Sequence, residues 1–422
     1  MKFLISTVFS YGNLLAASGY FAFVLFLGVS AAEHGLSNYY ADKALLTGSN
    51  ILADSAISFE PENPNAYNSR GMISLRNKDY LVAAEAFEKA ISLRDKDFSL
   101  WLSLGYCRVQ LGDVGSARTA YEKALVFAPN YSQPNYRMGM LLFENGQYEQ
   151  STTFLSKAAE QDIELYPEIL DLARKTFVDN PHAIENSVRP NSVEAKKIVA
   201  RYMIDHNLMT DAIKAFLKGD ELSKGEKNEF ARYLISKQDF QAAFEVWLSR
   251  MKTDDRAENE LIFDGGFEKI DARDESGFGW QIDQTTSAIS VALDEKEFHS
   301  GSRAVRIKFA GNVELNRRLI SQLTYVRPHQ RYELKFFFSS PELISAGLPV
   351  IVVNDAVSDK LLGRSNEIQS TDARWFQARV VFVTQDTPAV TISLQRPSCN
   401  MSPCPLFGEL ILDDFSLSEL PN

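Results

Sequence analysis

Residues 64–97 read PNAYNSRGMISLRNKDYLVAAEAFEKAISLRDKD, residues 98–131 read FSLWLSLGYCRVQLGDVGSARTAYEKALVFAPNY, and residues 132–165 read SQPNYRMGMLLFENGQYEQSTTFLSKAAEQDIEL. Laid one under another at a period of 34, they align Gly71, Gly105 and Gly139. The same period aligns Ala83, Ala117 and Ser151, then Phe87, Tyr121 and Leu155, then Ala90, Ala124 and Ala158. Small and large apolar residues recurring at such a period suit stacked helical hairpins, because no single hairpin buries its own apolar face. The stretch predicts an α-solenoid.

These residues resemble the tetratricopeptide repeat family. Tyr67 and Trp101 occupy its aromatic position, the three glycines lie where two helices touch, and Pro129 closes a repeat. The third repeat departs from the pattern, with Asn135 for the aromatic and Ser151 for the small alanine. The resemblance implies an interaction scaffold whose concave surface binds an extended peptide or a partner helix. On the first helix of each repeat a second set of positions, not needed for repeat packing, is expected to face that side. These are Asn68, Met72 and Leu75, then Leu102, Tyr106 and Val109, then Tyr136, Met140 and Phe143. Their periodicity implies an apolar groove. It either receives a partner or is filled by later helices of the same chain, and it lacks the Lys and Arg clamp that a terminal carboxylate needs.

Upstream, one cation, Lys2, precedes a run without charge that lasts to Glu33. Residues 14–32, LLAASGYFAFVLFLGVSAA, are long enough at about 1.5 Å per residue to cross an apolar layer of about 30 Å. Residues 1–35 read as a membrane anchor, with a cleaved signal peptide as the rival on the small residues Val29, Ser30 and Ala31. Either leads to export, and the single cation places the bulk outside the cytoplasm, in a periplasm for an inner-membrane protein. Residues 38–59 fit a capping hairpin whose second helix is in register.

Downstream, residues 163–252 keep the helical period but lose the 34-residue register, so the superhelix is expected over 36–252. Asn191, Ser192 and Glu194 mark a helix start, and Phe230, Leu234, Phe240, Ala243, Phe244 and Trp247 mark a late hairpin. Residues 253–260 are charged and read as a linker. From Leu261 on the period becomes two, in eight runs: 288–293, 304–309, 319–326, 332–338, 348–353, 376–383, 389–394 and 409–417. Short strands without helices between them predict an antiparallel β-sandwich or jelly roll over 261–422.

Within this part, Asp264-Gly265-Gly266-Phe267-Glu268, Phe278-Gly279-Trp280, His299-Ser300-Gly301, Tyr332, Trp375 and Leu412-Asp413-Asp414-Phe415 occur in order. That order resembles the galactose-binding-like jelly roll of carbohydrate-binding modules. The resemblance implies a structural calcium that ties the first and last strands through Glu268 and Asp413 or Asp414. It also implies a core position for Trp280 and Trp375, which otherwise join Phe376, Tyr325 and Tyr332 as aromatic platforms for a saccharide.

The formal charge of −11 excludes a nucleic-acid surface, which needs clustered cations. The five histidines are scattered without metal or triad spacing, and the chain has no phosphate-cradling glycine loop. Asp413 and Asp414 are adjacent, so a regular strand would aim them to opposite faces and away from shared hydrolase chemistry. No enzyme is expected. Cys399 and Cys404, five apart in a proline-containing loop, close a disulfide ring in an oxidising compartment or remain two thiols in a reducing one, and Cys107 reads as a small buried hydrophobe. The expected molecule is a membrane-anchored extracytoplasmic adaptor that binds protein partners through its repeats, of the kind that serves exopolysaccharide or cell-envelope assembly. The alternative is a saccharide-binding sandwich for which the repeats are a spacer.

Overall fold

The computed structural model describes residues 2–178, 180–251, 261–269, 277–283, 286–396, 398–399 and 403–421, with backbone alone for 2–19. The expected linker at 253–260 lies outside the described residues. Two compact units, Met1–Tyr202 and Met203–Asn422, divide the chain.

In the first unit, α1 (Lys2–Thr47) and α2 (Asn50–Phe59) precede three hairpins. These are α3 (Pro64–Arg76) with α4 (Tyr80–Leu93), α5 (Phe98–Gln110) with α6 (Val114–Phe127), and α7 (Ser132–Glu144) with α8 (Tyr148–Gln161). Each hairpin closes on one contact. A Cβ added to Gly71 would lie 2.7 Å from the Phe87 ring, one on Gly105 2.3 Å from the Tyr121 ring, and one on Gly139 2.6 Å from Leu155. The register read from the sequence is therefore a steric one: the large residue of the second helix occupies the space left by the missing side chain of the first.

The two departures of the third repeat are conservative in their bonding. Trp101 donates its indole N–H to the Asp95 carbonyl at 2.7 Å, six residues back. Asn135 donates its amide to the Pro129 carbonyl at 2.9 Å, also six residues back, and to Tyr131 at 2.8 Å. Ser151 keeps the small volume and donates its hydroxyl to the Gly139 carbonyl at 2.8 Å.

The capping hairpin is built differently from the others. Its first helix is the end of α1, a continuous helix of 46 residues in which Tyr20–Thr47 is long and apolar enough to cross a membrane. Ala41 and Ala44 pack against Ala53, Ala56, Ala66 and Ile73. Ser37, fully buried, donates to the Ala56 carbonyl at 2.8 Å and accepts from Asn63 at 2.8 Å. Asn38 accepts from Asn63 and Asn65, and His34 bonds Glu60 at 2.7 Å. By contrast Tyr20, Phe21, Phe23 and Phe26 of the same helix are exposed.

After α8 come α9 (Leu165–Thr176), the short α10 (Pro181–Asn186) and α11 (Val193–Asp205), whose expected start is met by Ser192 accepting from the Ala195 amide. Glu160 of α8 ties this turn down: it accepts from the Asn191 and Ser192 amides at 2.6 and 3.2 Å and from the Tyr166 hydroxyl at 3.0 Å. Burial alone would raise the Glu160 carboxyl, but the two amides and the hydroxyl hold it below its ordinary value.

In the second unit α12 (Asp211–Lys218), α13 (Lys224–Ser236) and α14 (Phe240–Leu248), the last helices of the expected helical region, precede the strands. Aromatic packing ties α14 to the strands. Trp247, 1% exposed, meets Phe263 edge-on at 5.0 Å, and Phe244 stacks on Tyr325 at 5.7 Å and meets Phe278 at 5.3 Å.

The strands are β1 (Gln281–Ile282), β2 (Ile289–Asp294), β3 (Ala304–Asn312), β4 (Ile320–Tyr325), β5 (Arg331–Ser339), β6 (Val350–Asp355), β7 (Leu361–Arg364), β8 (Phe376–Val383), β9 (Ala389–Gln395) and β10 (Pro405–Leu420). They form two antiparallel five-stranded sheets, in the orders β1-β4-β9-β6-β7 and β2-β3-β10-β5-β8. All eight expected strands are present. The two unforeseen ones, β1 and β7, have two and four residues, too few for alternation to register. Residues of both sheets share one apolar core, including Ile307, Phe336, Ile351, Ile392 and Leu412.

Two outcomes test this account. Gly105→Ala forces its Cβ against the Tyr121 ring, and thermal melting of the variant is expected to show a loss of about 1–3 kcal/mol. A carboxyl held below its ordinary value adds stability that is present above its unfolded value of 4.5 and is lost as pH falls through the lower folded value. Glu160→Gln should therefore lower stability by about 1 kcal/mol at neutral pH, and the difference should shrink steadily in denaturation curves recorded as the pH falls from 4.5 through the lower folded value.

Candidate partner-binding groove

The expected line of first-helix residues separates into covered and accessible members. Leu102 and Phe143 are each 8% exposed. Leu102 packs with Ala117, Tyr121 and Met138, and Phe143 lies edge-on to Tyr148 at 5.0 Å and to Phe177 at 6.3 Å. Met72, Tyr106, Val109, Tyr136 and Met140 are half-buried, as are Asn68 and Leu75. Met72 and Leu75 pack against the core of Phe87 and Leu104, Val109 packs against that of Tyr121 and Met138, and later residues of the chain cover Phe143.

Two polar neighbours that the sequence reading missed lie against Tyr106 and Tyr136. The Arg137 guanidinium lies over the Tyr106 ring, 5.2 Å from its centre, a favourable placement of a cation on a π face. The Tyr136 hydroxyl donates to the exposed Glu168 of α9 at 2.5 Å. Burial, with Glu168 adding to it, pushes the Tyr136 hydroxyl up to about 12, so it stays a donor at neutral pH. Arg137 was visible as the neighbour of a line residue. Glu168 was not, since it lies 32 residues away on a helix outside the repeat register.

Of the acidic residues named by motif in the sandwich, Asp413 and Asp414 come together, and the Glu268 side chain passes beside them with its carboxylate on the Ser302 and Arg303 amides. A Cβ on Gly266 would lie within 4 Å of side-chain atoms of Asp414, Asp413 and Glu268. A bulge in β10 between Asp413 and Ser416, with Asp414 at φ 52°, turns both aspartates to one place, so strict alternation along the strand does not hold here. Asp413 is fully buried and accepts from the His299, Ser300 and Asp414 amides at 2.7, 3.2 and 2.7 Å. Its burial pushes the carboxyl up to about 6 in spite of those amides. Glu268 accepts from the Ser302 and Arg303 amides at 2.7 and 3.0 Å. Among the described residues no three His, Cys, Asp or Glu side chains are arranged to hold a metal ion by themselves, so an ion here would need backbone oxygens as well.

Trp280 is core, 2% exposed, packed on Phe267 and Phe415 at 5.0 and 4.9 Å, and Tyr332 is buried with it in the common core. Trp375 departs from the core position that resemblance implied. It is half-buried at the rim, edge-on to His299 at 5.5 Å, and His299 in turn stacks on Phe337 at 3.7 Å. Phe376 beside it is 49% exposed. Cys399 and Cys404 are joined as a disulfide with Cα atoms 6.4 Å apart. Cys107 is fully buried, which pushes its thiol up to about 11.

The family model for the tetratricopeptide repeat matches residues 70–132. The chain is 28% identical over 123 residues to the general transcriptional corepressor trfA of Dictyostelium discoideum, a match covering 29% of this chain and 8% of that protein's length. Among solved structures it is similar to YrrB, a tetratricopeptide protein with an unusual peptide-binding site, at 19% identity and TM-score 0.33, over 42% of this chain and 87% of the other. It is also similar to the CBM22-1 xylan-binding domain of Paenibacillus barcinonensis Xyn10C, at 12% identity and TM-score 0.25, over 34% and 87%. The N-terminal half thus carries tetratricopeptide repeats, a protein-interaction scaffold, and a two-sheet antiparallel β-domain follows it.

Proposed function

We propose that the chain is a membrane-anchored, extracytoplasmic adaptor that holds an extended segment of a protein partner along Met72, Tyr106, Val109, Tyr136 and Met140, in exopolysaccharide or cell-envelope assembly. The observation that carries the reading is the half-buried set of Tyr106, Tyr136 and Met140 beside Arg137, continued by Met72 and Val109, which also pack on the repeat cores. Large rings with a polar handle supply contact area at low entropic cost, and Arg137 and Glu168 supply the hydrogen bonds that set register.

The same proposal includes a structural calcium at Glu268, Asp413 and Asp414. A divalent cation would offset the burial that raises Asp413, and carboxylate with backbone oxygens suits a hard ion. The sandwich would also present Trp375 and Phe376 to polysaccharide, since both rings are accessible.

Two measurements check these readings. Tyr106→Ala with Tyr136→Ala should reduce capture of partner from envelope extracts at least about tenfold while the melting temperature falls by only a few degrees. Unchanged capture would reject the groove, and retained binding of the full chain to a glycan array would then favour the saccharide reading. Calcium is expected to raise the melting temperature of the full chain and a chelator to reverse the rise, and superimposable curves would remove the ion from the account.

A further inference from the structure

Arg396 is a charged side chain enclosed in the β-domain, 1% exposed. Its five N–H bonds are all used. They go to the Gly347 carbonyl at 2.7 Å, the Val313 carbonyl at 3.3 Å, the Cys404 carbonyl at 2.7 Å, the Ser345 hydroxyl at 2.7 Å, and the Cys404 sulfur. None of these five acceptors is a carboxylate. Burial pushes the guanidinium below its ordinary value, the sign of a cation held by dipoles without a counter-ion. Among the five acceptors, the sulfur of Cys404 alone can become an anion.

The surroundings fix which sulfur is which. Arg396 directly follows β9, Cys404 directly precedes β10, and Ser345 also donates to the Pro405 carbonyl at 2.8 Å. Cys404 is therefore clamped between strand ends. Cys399 and Cys404 are both half-buried and Ser398 is exposed; the 398–399 backbone lies against Gly347, but neither Ser398 nor Cys399 makes any of the hydrogen bonds that hold Arg396, so the two sulfurs differ in the cation beside them. A cation beside a sulfur lowers the pKa of the corresponding thiol, and the thiol of lower pKa is the better leaving group in exchange.

We propose that the Cys399–Cys404 disulfide is a thiol–disulfide exchange site, in which an incoming thiolate attacks Cys399 and Cys404 departs as a thiolate paired with Arg396. In the first step a sulfur–sulfur bond forms between the attacking thiol and Cys399 as the Cys399–Cys404 bond breaks, and its electron pair goes to Cys404. With a dithiol reductant, the second thiol of that molecule then attacks the mixed disulfide. The reductant is oxidised to a disulfide, and Cys399 is released and protonated from water. The dithiol supplies two electrons and gives up two protons to water, of which Cys399 takes up one and the other stays in solution while Cys404 remains a thiolate. The partner is thus a dithiol of the redoxin chemical class acting on the exposed side of the 398–399 segment. The assignment rests on the Arg396 geometry and is independent of the groove.

Two experiments test it on the full chain. Glutathione added to the oxidised protein and quenched with acid should leave its mixed disulfide on Cys399, located by peptide mass spectrometry, and an adduct on Cys404 would overturn the assignment. In reduced Cys399→Ser, the pH dependence of iodoacetamide alkylation and of thiolate ultraviolet absorbance reports Cys404, and Cys404→Ser reports Cys399. Cys107, buried and pushed up to about 11, contributes no signal near neutral pH. Cys404 should hold at least about tenfold more thiolate than Cys399 at neutral pH. An equal or smaller fraction, or no titration of Cys404 below the ordinary thiol range, would refute it. Cys399→Ala repeats the measurement if serine disturbs the loop, with circular dichroism confirming the fold in each case.

Discussion

The repeats depend on one contact made three times, a glycine on the first helix of each hairpin against a large side chain on the second. The Gly71–Phe87, Gly105–Tyr121 and Gly139–Leu155 pairs bring the two helix backbones close enough for Ala83, Ala117 and Ser151 to fill the remaining space. A side chain at any of the three glycines would have to displace a ring or a leucine that is itself fully enclosed. Everything on the outer faces, including the line from Met72 to Met140, is oriented by that closure, because the angle between the helices of a pair sets what the stack presents.

That closure was legible in the sequence because a steric rule repeats at a fixed interval. Asn135 shows the limit of the same reading. It breaks the aromatic pattern yet reproduces the bond of Trp101 to the carbonyl six residues back, a conservation of hydrogen bonding invisible to a comparison of side-chain types. The helical period has a related limit. Phe244 and Trp247 keep the helical period of their predecessors, and period alone does not tell which surface an apolar stripe meets; here the partners are Phe263, Phe278 and Tyr325 of the β-domain.

In the β-domain, alternation found the long strands and failed where geometry is local. The bulge that brings Asp413 and Asp414 to one place contains an aspartate at positive φ, and no periodic rule marks it. Gly265 was part of a recognisable motif, but its physical role appears only in space: a Cβ there would lie 1.9 Å from the Phe415 carbonyl oxygen, so the opening segment lies directly on the closing strand. Arg396 carried no sequence signal at all. Its role comes from carbonyls contributed by three separate segments of the chain.

The passage of α1 without a break from its apolar stretch into the capping hairpin leaves no joint between the two. Tyr20 to Thr47 spans about 40 Å of helix, and its last turns are bonded into the repeats through Ser37, Asn38 and the alanine contacts. Whatever grips the exposed aromatic part of that rod therefore sets the heading of the repeats as well as their location.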